Sequence, residues 1–422
     1  MNLLKNYKSS IILLGSILLG GIVGAVMGPK AAVLEPFGNL FLNLMFTIIV
    51  PLVFFSVSSA IANMTSMKRL GKIMGSVIIV FTATALIAAI IGVIGAILIN
   101  PTKGIDHGII QKLMASAGEA PKAEKVGVLQ QIVNTFTVSD FMNVFSRKNM
   151  LQLIVFSLLF GISTALVKEK AEPVAKFLKS GSEVMMKFVD IIMYYAPIGL
   201  GCYFASVIGQ LGTQILQGYL RVFVLYLLLS VILYFVILTI YAFLAGGREG
   251  IAIYWRNVIT PSITALATCS SAACIPVNLE YTKKMGVPED ISETVVPLGA
   301  NTHKDGSVIG GVMKITFLFG LYGKDMKSFG AIIGVIFVSY LVGAVMGAIP
   351  GGGMIGEMLI LSVYGFPPEV LPIIAVISTI IDAPATLLNS TGNTVCAMMV
   401  ARLVEGKNWL VNKVNSSNEV KA

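Results

Sequence analysis

The chain has 422 residues, 56% of them hydrophobic and 12% charged, and 30 Lys and Arg against 21 Asp and Glu give a formal charge of +9. Soluble domains carry about 25% charged residues, so the composition excludes a soluble globular protein and describes an all-α polytopic membrane protein. The basic surplus does not indicate nucleic acid, because it gathers in short loops without interleaved aromatic residues.

A helix needs about 20 apolar residues to cross a bilayer, and the sequence predicts spans over 10–28, 37–65, 73–99, 149–167, 187–207 and 218–245. The apolar run Ile11 to Met27 is longer than the core of a signal peptide, so it reads as the first transmembrane helix. Basic clusters at Lys5 and Lys8, Lys68 to Lys72, Lys168 to Lys179 and Arg248 fall on alternate sides of successive spans. The positive-inside rule then places both termini and the loops 66–72, 168–186 and 246–250 in the cytoplasm of a cell-membrane protein. The stretches 101–148 and 208–217 fall outside. Four cysteines without a paired motif read as apolar fillers, and two histidines argue against a histidine metal site.

Near residue 246 the pattern changes. Glycine, serine, threonine and proline rise, and apolar runs shorten to lengths that turn back. Residues 1–245 read as scaffold and 246–408 as a site-building core, with 409–422 a tail. Within the core, 250–286 and 329–367 each present two apolar arms around a tip of small residues. Each is followed by an apolar helix with polar breaks, over 290–322 and 370–406. Hairpin plus broken helix, twice, is the pattern of inverted-repeat transporters with a midplane site.

The core holds four polar constellations. Pro297 to Ser307 places His303, Lys304 and Asp305 between apolar segments; a charge inside hydrocarbon costs about 2.5–3.5 kcal/mol, so the segment reads as an interior solute site. The first tip, Thr268 to Pro276, offers the hydroxyls of Ser270 and Ser271 and open N–H groups suited to a carboxylate; a small-residue packing interface is the alternative. The second tip carries Gly351, Gly352 and Gly353 after Pro350, which suits a mobile gate or an ordinary turn. In the last helix Asp382, Thr386, Asn389 and Asn393 share one face. Asp382 needs a cationic partner, either a substrate ammonium or Lys304. Lys314 and Glu357 also lie in apolar runs and either pair or face a cavity.

These motifs, with Ile49 to Phe54 and Tyr195 to Gly199, make nearly the whole chain resemble the dicarboxylate/amino acid:cation symporter family, which includes glutamate and serine/threonine transporters. The resemblance implies eight transmembrane helices, two re-entrant hairpins, a homotrimer, an elevator motion with the third helix joining the transport domain, and no enzyme activity. It implies that Ser270, Ser271, Ser307, Ile349, Gly353, Asp382, Thr386 and Asn389 meet the substrate. It places Thr82, Gly299, His303, Lys304, Asp305, Asn389 and Asn393 at coupling positions, with Asp305, Asn389 and Asn393 as the sodium oxygens.

Departures from the family pattern refine this. Acidic-substrate members carry arginine three residues after the position of Asp382, and here Ala385 stands there. Without a guanidinium fork a side-chain carboxylate loses its bidentate partner, so a small neutral amino acid such as serine, threonine or alanine is the expected substrate. Asparagine and methionine of the family's charged motif become His303 and Lys304, and its second sodium aspartate becomes Asn393. Lys304 then reads as a built-in cation replacing a sodium, and His303 as either a proton-coupling group or a plain hydrogen-bond partner. Sodium or proton symport, cation-independent exchange, acidic-substrate symport and anion conduction all stay open, whereas no catalytic or nucleotide motif suggests an enzyme.

Overall fold

The computed structural model describes residues 3–62, 68–102, 133, 137–146, 149–211, 214–346, 352–407 and 409–410, and these residues form helices without a strand. The first group is α1 (Leu3–Met27), α2 (Glu35–Ala62), α3 (Lys68–Ile99), a one-turn α4 (Phe141–Val144), α5 (Met150–Val167), α6 (Glu172–Met193) and α7 (Ala196–Leu211). Then come α8 (Gln214–Ile232), a π-helical turn, α9 (Leu238–Thr268), α10 (Ser271–Lys284), α11 (Glu289–Thr302), α12 (Asp305–Leu321), α13 (Phe329–Val345), α14 (Gly352–Tyr364) and α15 (Leu371–Glu405).

By packing, the helices fall into two sets. Helix α1 lies on α7, and α2 lies on α5, α6 and α7; α15 is wrapped by α3, α9, α10, α11, α12 and α14. Helix α3 packs on α12, α13 and α15. Helix α8 packs on α3, α12 and α15 and also touches α7. Lys72 on α3 donates to the Val404 carbonyl at 2.7 Å and so closes the C-terminal turn of α15.

Five stretches among the described residues are long and apolar enough to span a membrane: Gly15–Phe41, Lys72–Ile99, Gln152–Met185, Leu216–Leu266 and Leu371–Glu405. The shorter apolar helices Ala196–Gly209, Phe329–Val345 and Gly353–Tyr364 lie below that length. The expected set of eight spans is therefore not visible as eight separate long helices, because turns and kinks join some and shorten others. At Gly246 and Gly247 one such kink interrupts α9, and Gly247 takes φ +65°, a conformation that costs glycine least.

Two expectations need correction. The basic stretch 168–186, read as a loop, is mostly helix α6, whose charged face defeats a hydropathy criterion while its apolar face still packs. Glu172 and Lys176, one turn apart, pair at 2.8 Å on its exposed side. The last helix, expected to be broken, runs unbroken from Leu371 to Glu405 through Pro384. A proline inside a membrane helix is tolerated where neighbouring helices satisfy the freed carbonyl, and α15 has neighbours on most sides.

The α1–α7 contact rests on small residues spaced four apart on both sides. A Cβ at Gly20 would lie 2.2 Å from the Gly201 carbonyl oxygen, one at Gly24 would lie 2.3 Å from that of Ala205, and one at Gly209 would lie 2.2 Å from that of Gly28. Such approach lets backbones pack where lipid supplies no hydrophobic drive between helices. Gly24→Val is expected to force the pair apart at a cost of about 1–3 kcal/mol, read as a lowered melting temperature; Gly15→Val, with nothing within 4 Å, is the control.

Candidate functional site

The site grows from places where helices stop at membrane depth. Helix α9 ends at Cys269, held at φ +47°, and α10 restarts with Ser270 as its N-cap, the Ser270 hydroxyl accepting from the Ala273 N–H at 3.3 Å. Ser271 opens α10 and is buried, so the hairpin tip presents a capped helix N-terminus, a setting favourable to anions. On the returning arm, Asn278 donates to the Ser390 hydroxyl at 2.9 Å and pins α10 to α15.

Between α11 and α12 the chain is extended at His303 and Lys304 (φ −131° and −146°). The exposed backbone groups of this break are satisfied from other helices. Asn389 Oδ1 accepts from the Ser307 N–H at 3.2 Å, Asn389 Nδ2 donates to the Ser307 hydroxyl at 3.0 Å, and the Tyr226 hydroxyl donates to the Gly306 carbonyl at 2.9 Å. Most of the Asn389 amide is thus engaged, leaving one N–H for a ligand.

His303 is 2% exposed and stacks on Phe81 at 4.2 Å between ring centroids. Its Nδ1 is 2.8 Å from Asn393 Oδ1, while its Nε2 is 2.7 Å from Thr84 Oγ1 and 3.0 Å from Asp305 Oδ1. A single Nε2 proton serves Thr84 or Asp305, and Asp305 Oδ2 has no hydrogen-bond partner among the described residues. A 1%-exposed carboxylate with one oxygen open and the other facing only the imidazole suits a cation, whether imidazolium or sodium. Gly299 makes the cluster possible, because a Cβ there would lie 2.4 Å from Asn393 Oδ1.

Lys304 occupies the N-cap position of α12 and is 6% exposed. A small cavity of about 30 Å³ adjoins it, lined by Phe81, Thr302, His303, Lys304, Tyr340 and Gly343 among others. On α15, Ala385, Thr386, Asn389 and Asn393 are buried, whereas Asp382 is exposed. Gly306 packs directly on the Ala385 backbone, where a Cβ would lie 2.5 Å from its carbonyl oxygen.

The structure thus gathers Ser307, Asn389, Asn393, His303 and Asp305 around one helix break, with Gly299 beside them. Thr82 is not in that group: its hydroxyl faces Tyr340 at 3.3 Å, and Thr84 reaches His303 instead. Gly353 stands at the start of α14, while Ile349 and the rest of the second tip (347–351) lie outside the described residues. Thr84, Phe81, Tyr226 and Asn278 were not singled out in the sequence. Thr84 is a hydroxyl in an apolar span just as Thr82 is, and nothing in the helical period chooses between them without knowing where His303 falls.

A polytopic helical bundle with polar breaks and charged groups at its centre defines a membrane transporter. The sequence profile described as the Sodium:dicarboxylate symporter family matches residues 10–403, and the chain belongs to that family of cation-coupled symporters. It is 30% identical over 396 residues to the proton/sodium-glutamate symport protein of Bacillus caldotenax, 92% of each chain being covered. It is 28% identical over 414 residues to the proton/glutamate-aspartate symporter of Escherichia coli, covering 94% of each chain. It is 27% identical over 403 residues to the C4-dicarboxylate transport protein of Bacillus subtilis, covering 95% of this chain and 94% of the relative.

Gly299→Ala is expected to push Asn393 off His303, to lower the melting temperature and to cut uptake by about tenfold or more, because a displaced buried polar group costs about 1–3 kcal/mol. Gly330→Ala, with nothing within 4 Å of the added methyl, should leave both unchanged.

Proposed function

We propose that the chain imports a small zwitterionic amino acid of the serine, threonine or alanine type by cation symport. The observation that carries this reading is Asp382: an exposed carboxylate on α15 among buried and half-buried neighbours, with Ala385 where a guanidinium would be needed for an acidic side chain. The substrate ammonium meets Asp382 by a charge-assisted hydrogen bond. Its carboxylate meets the capped N-terminus at Ser270 and Ser271 and the remaining Asn389 N–H. Ser307, Thr386, Ile349 and Gly353 complete the pocket.

Either sodium or a proton drives the cycle. Asp305, Asn389 and Asn393 supply oxygens for sodium, with Gly299 and Thr82 at flanking positions. His303 beside Asp305 already offers a protein-borne cation, which favours the proton and fits the "proton/sodium" names of relatives. Residues 246–408 with α3 and α8 form the moving unit of a homotrimeric elevator in the cell membrane, and both termini face the cytoplasm.

A second reading is symport of an acidic amino acid or dicarboxylate. It is favoured by the relatives' names and by Lys304, a buried cation at the helix break that can meet a second carboxylate in place of arginine.

A thermal-shift screen separates the two, since a ligand that binds only the folded state raises the melting temperature. Serine, threonine or alanine is expected to do so while succinate and glutamate do not, and the reverse result overturns the first reading. Asp382→Asn should weaken amino-acid binding by about ten- to hundredfold, the worth of a hydrogen bond to a charged group. In liposomes, replacing sodium by choline should change uptake by the parent protein little, and Lys304→Met should create a sodium dependence. A strong dependence already present in the parent removes Lys304 from the role of built-in cation.

A further inference from the structure

One buried charge pair lies outside the site described above. Lys314 on α12 is 2% exposed and Glu357 on α14 is 1% exposed, and Nζ lies 3.2 Å from Oε1. The Ser378 hydroxyl on α15 donates to the same Oε1, whereas Oε2 has no hydrogen-bond partner among the described residues. Every residue of α12 from Asp305 to Phe319 is buried, so the lysine has no route along its helix to water. Glu357 is the one charged residue between Phe329 and Tyr364.

Packing does not call for such a pair. Apolar side chains of similar volume usually serve a buried position as well or better, because both charges must be stripped of water. The pair is also incompletely satisfied, since Oε1 takes two donors and Oε2 none. What stands here is a group of three oxygens, the two of Glu357 and the Ser378 hydroxyl, assembled from two helices, with an ammonium delivered from a third. Three oxygens match in number the three N–H donors of an ammonium, and oxygen ligands that include a carboxylate are what a hard cation takes. Gly353 borders the group without a side chain of its own; a Cβ there would lie 3.8 Å from Ser378 Oγ and 4.0 Å from Glu357 Oε1.

We propose that Glu357 and Ser378 form a monovalent-cation site that the chain fills with its own lysine. Lys314 stands where a free ammonium or alkali ion would otherwise be drawn from solution. The joint between α12, α14 and α15 keeps its positive charge whatever ions the membrane faces, and no gradient has to load it. The buried carboxylate is never left uncompensated, the condition that makes a broken pair so much worse than none. The site shares no residue with Asp305, Asn389 and Asn393, and it does not depend on which substrate the pocket takes.

The test uses the full-length protein in detergent and reads its melting temperature in choline, ammonium or ethylammonium chloride at equal ionic strength. Lys314→Ala removes the ammonium and its stem, leaving room for ethylammonium, whereas choline is larger and has no N–H donor. In choline the variant should melt below the parent. In ethylammonium it should regain about 3–5 °C, because a ligand that binds only the folded state stabilises it. Ser378→Ala in the same background should raise the ethylammonium concentration required by about tenfold, the worth of a hydrogen bond to a charged group. The parent, its site filled, should melt alike in choline and ethylammonium. So should Lys314→Ala combined with Glu357→Gln, where the carboxylate is gone.

Equal melting of Lys314→Ala in choline and ethylammonium overturns the proposal. So does an ethylammonium rise of the same size in the parent or in the double variant, which places the ligand elsewhere. Lys314→Gln covers the case in which Lys314→Ala does not fold. Its amide ends one atom short of the ammonium position and can still donate to Glu357, so it fills most of the space without charge. Ammonium chloride should raise its melting temperature above that in choline. No difference between the two salts, or a melting temperature in choline equal to the parent's, means that Glu357 requires a hydrogen-bond donor and no cation, and the proposal falls.

Discussion

A helix interrupted inside an apolar bundle leaves backbone groups that lipid cannot satisfy, and the break at His303 and Lys304 is organised by that requirement. Asn389 closes on Ser307 from α15 and Tyr226 closes on Gly306 from α8, so two distant helices hold the gap open at fixed width. Because these bonds are made to backbone and to a short hydroxyl, they fix position with little freedom. The side chains flanking the gap inherit that placement. His303 and Asp305 are brought together because the chain is extended between α11 and α12, and Gly299 one turn earlier lets Asn393 close on the imidazole.

Charge in the interior is distributed with the same economy. His303 answers Asp305, and Lys314 answers Glu357. Asp305 and Glu357 are sealed within the bundle, whereas Asp382 is exposed. An exposed carboxylate beside sealed ones is the acidic group of this interior that is open to an incoming group.

The general design was legible in the sequence where it depends on local chemistry. The first tip announces itself through Ser270, Ser271 and Pro276, and the helix break through three ionisable residues beside Gly306. What local chemistry does not encode was missed. Helix α6 carries enough lysine and glutamate on one face to read as a loop, and only its packing on α2 makes the other face count. The last helix read as broken because polar residues interrupt its apolar run; the surrounding helices let α15 pass through them and through Pro384. Thr84 and Thr82 are indistinguishable by type, and the difference lies in how far α3 is rotated towards His303.

The remaining tension lies between ancestry and pocket. Relatives carrying glutamate, aspartate and dicarboxylates share the fold over more than nine-tenths of the chain. Yet position 385 holds a methyl group packed where Gly306 presses on its backbone. Fold and function separate at this level, because a scaffold fixes where a site is while a few side chains fix what it takes. Lysine cannot simply stand in for the missing guanidinium: its ammonium is a point charge without the planar fork that matches a carboxylate, and Lys314 is already committed to Glu357. A second carboxylate bound at Lys314 would have to compete with Glu357 for it, leaving a buried carboxylate uncompensated. The proposed preference for a zwitterion rests on that arrangement of charge, within a family named for dicarboxylates.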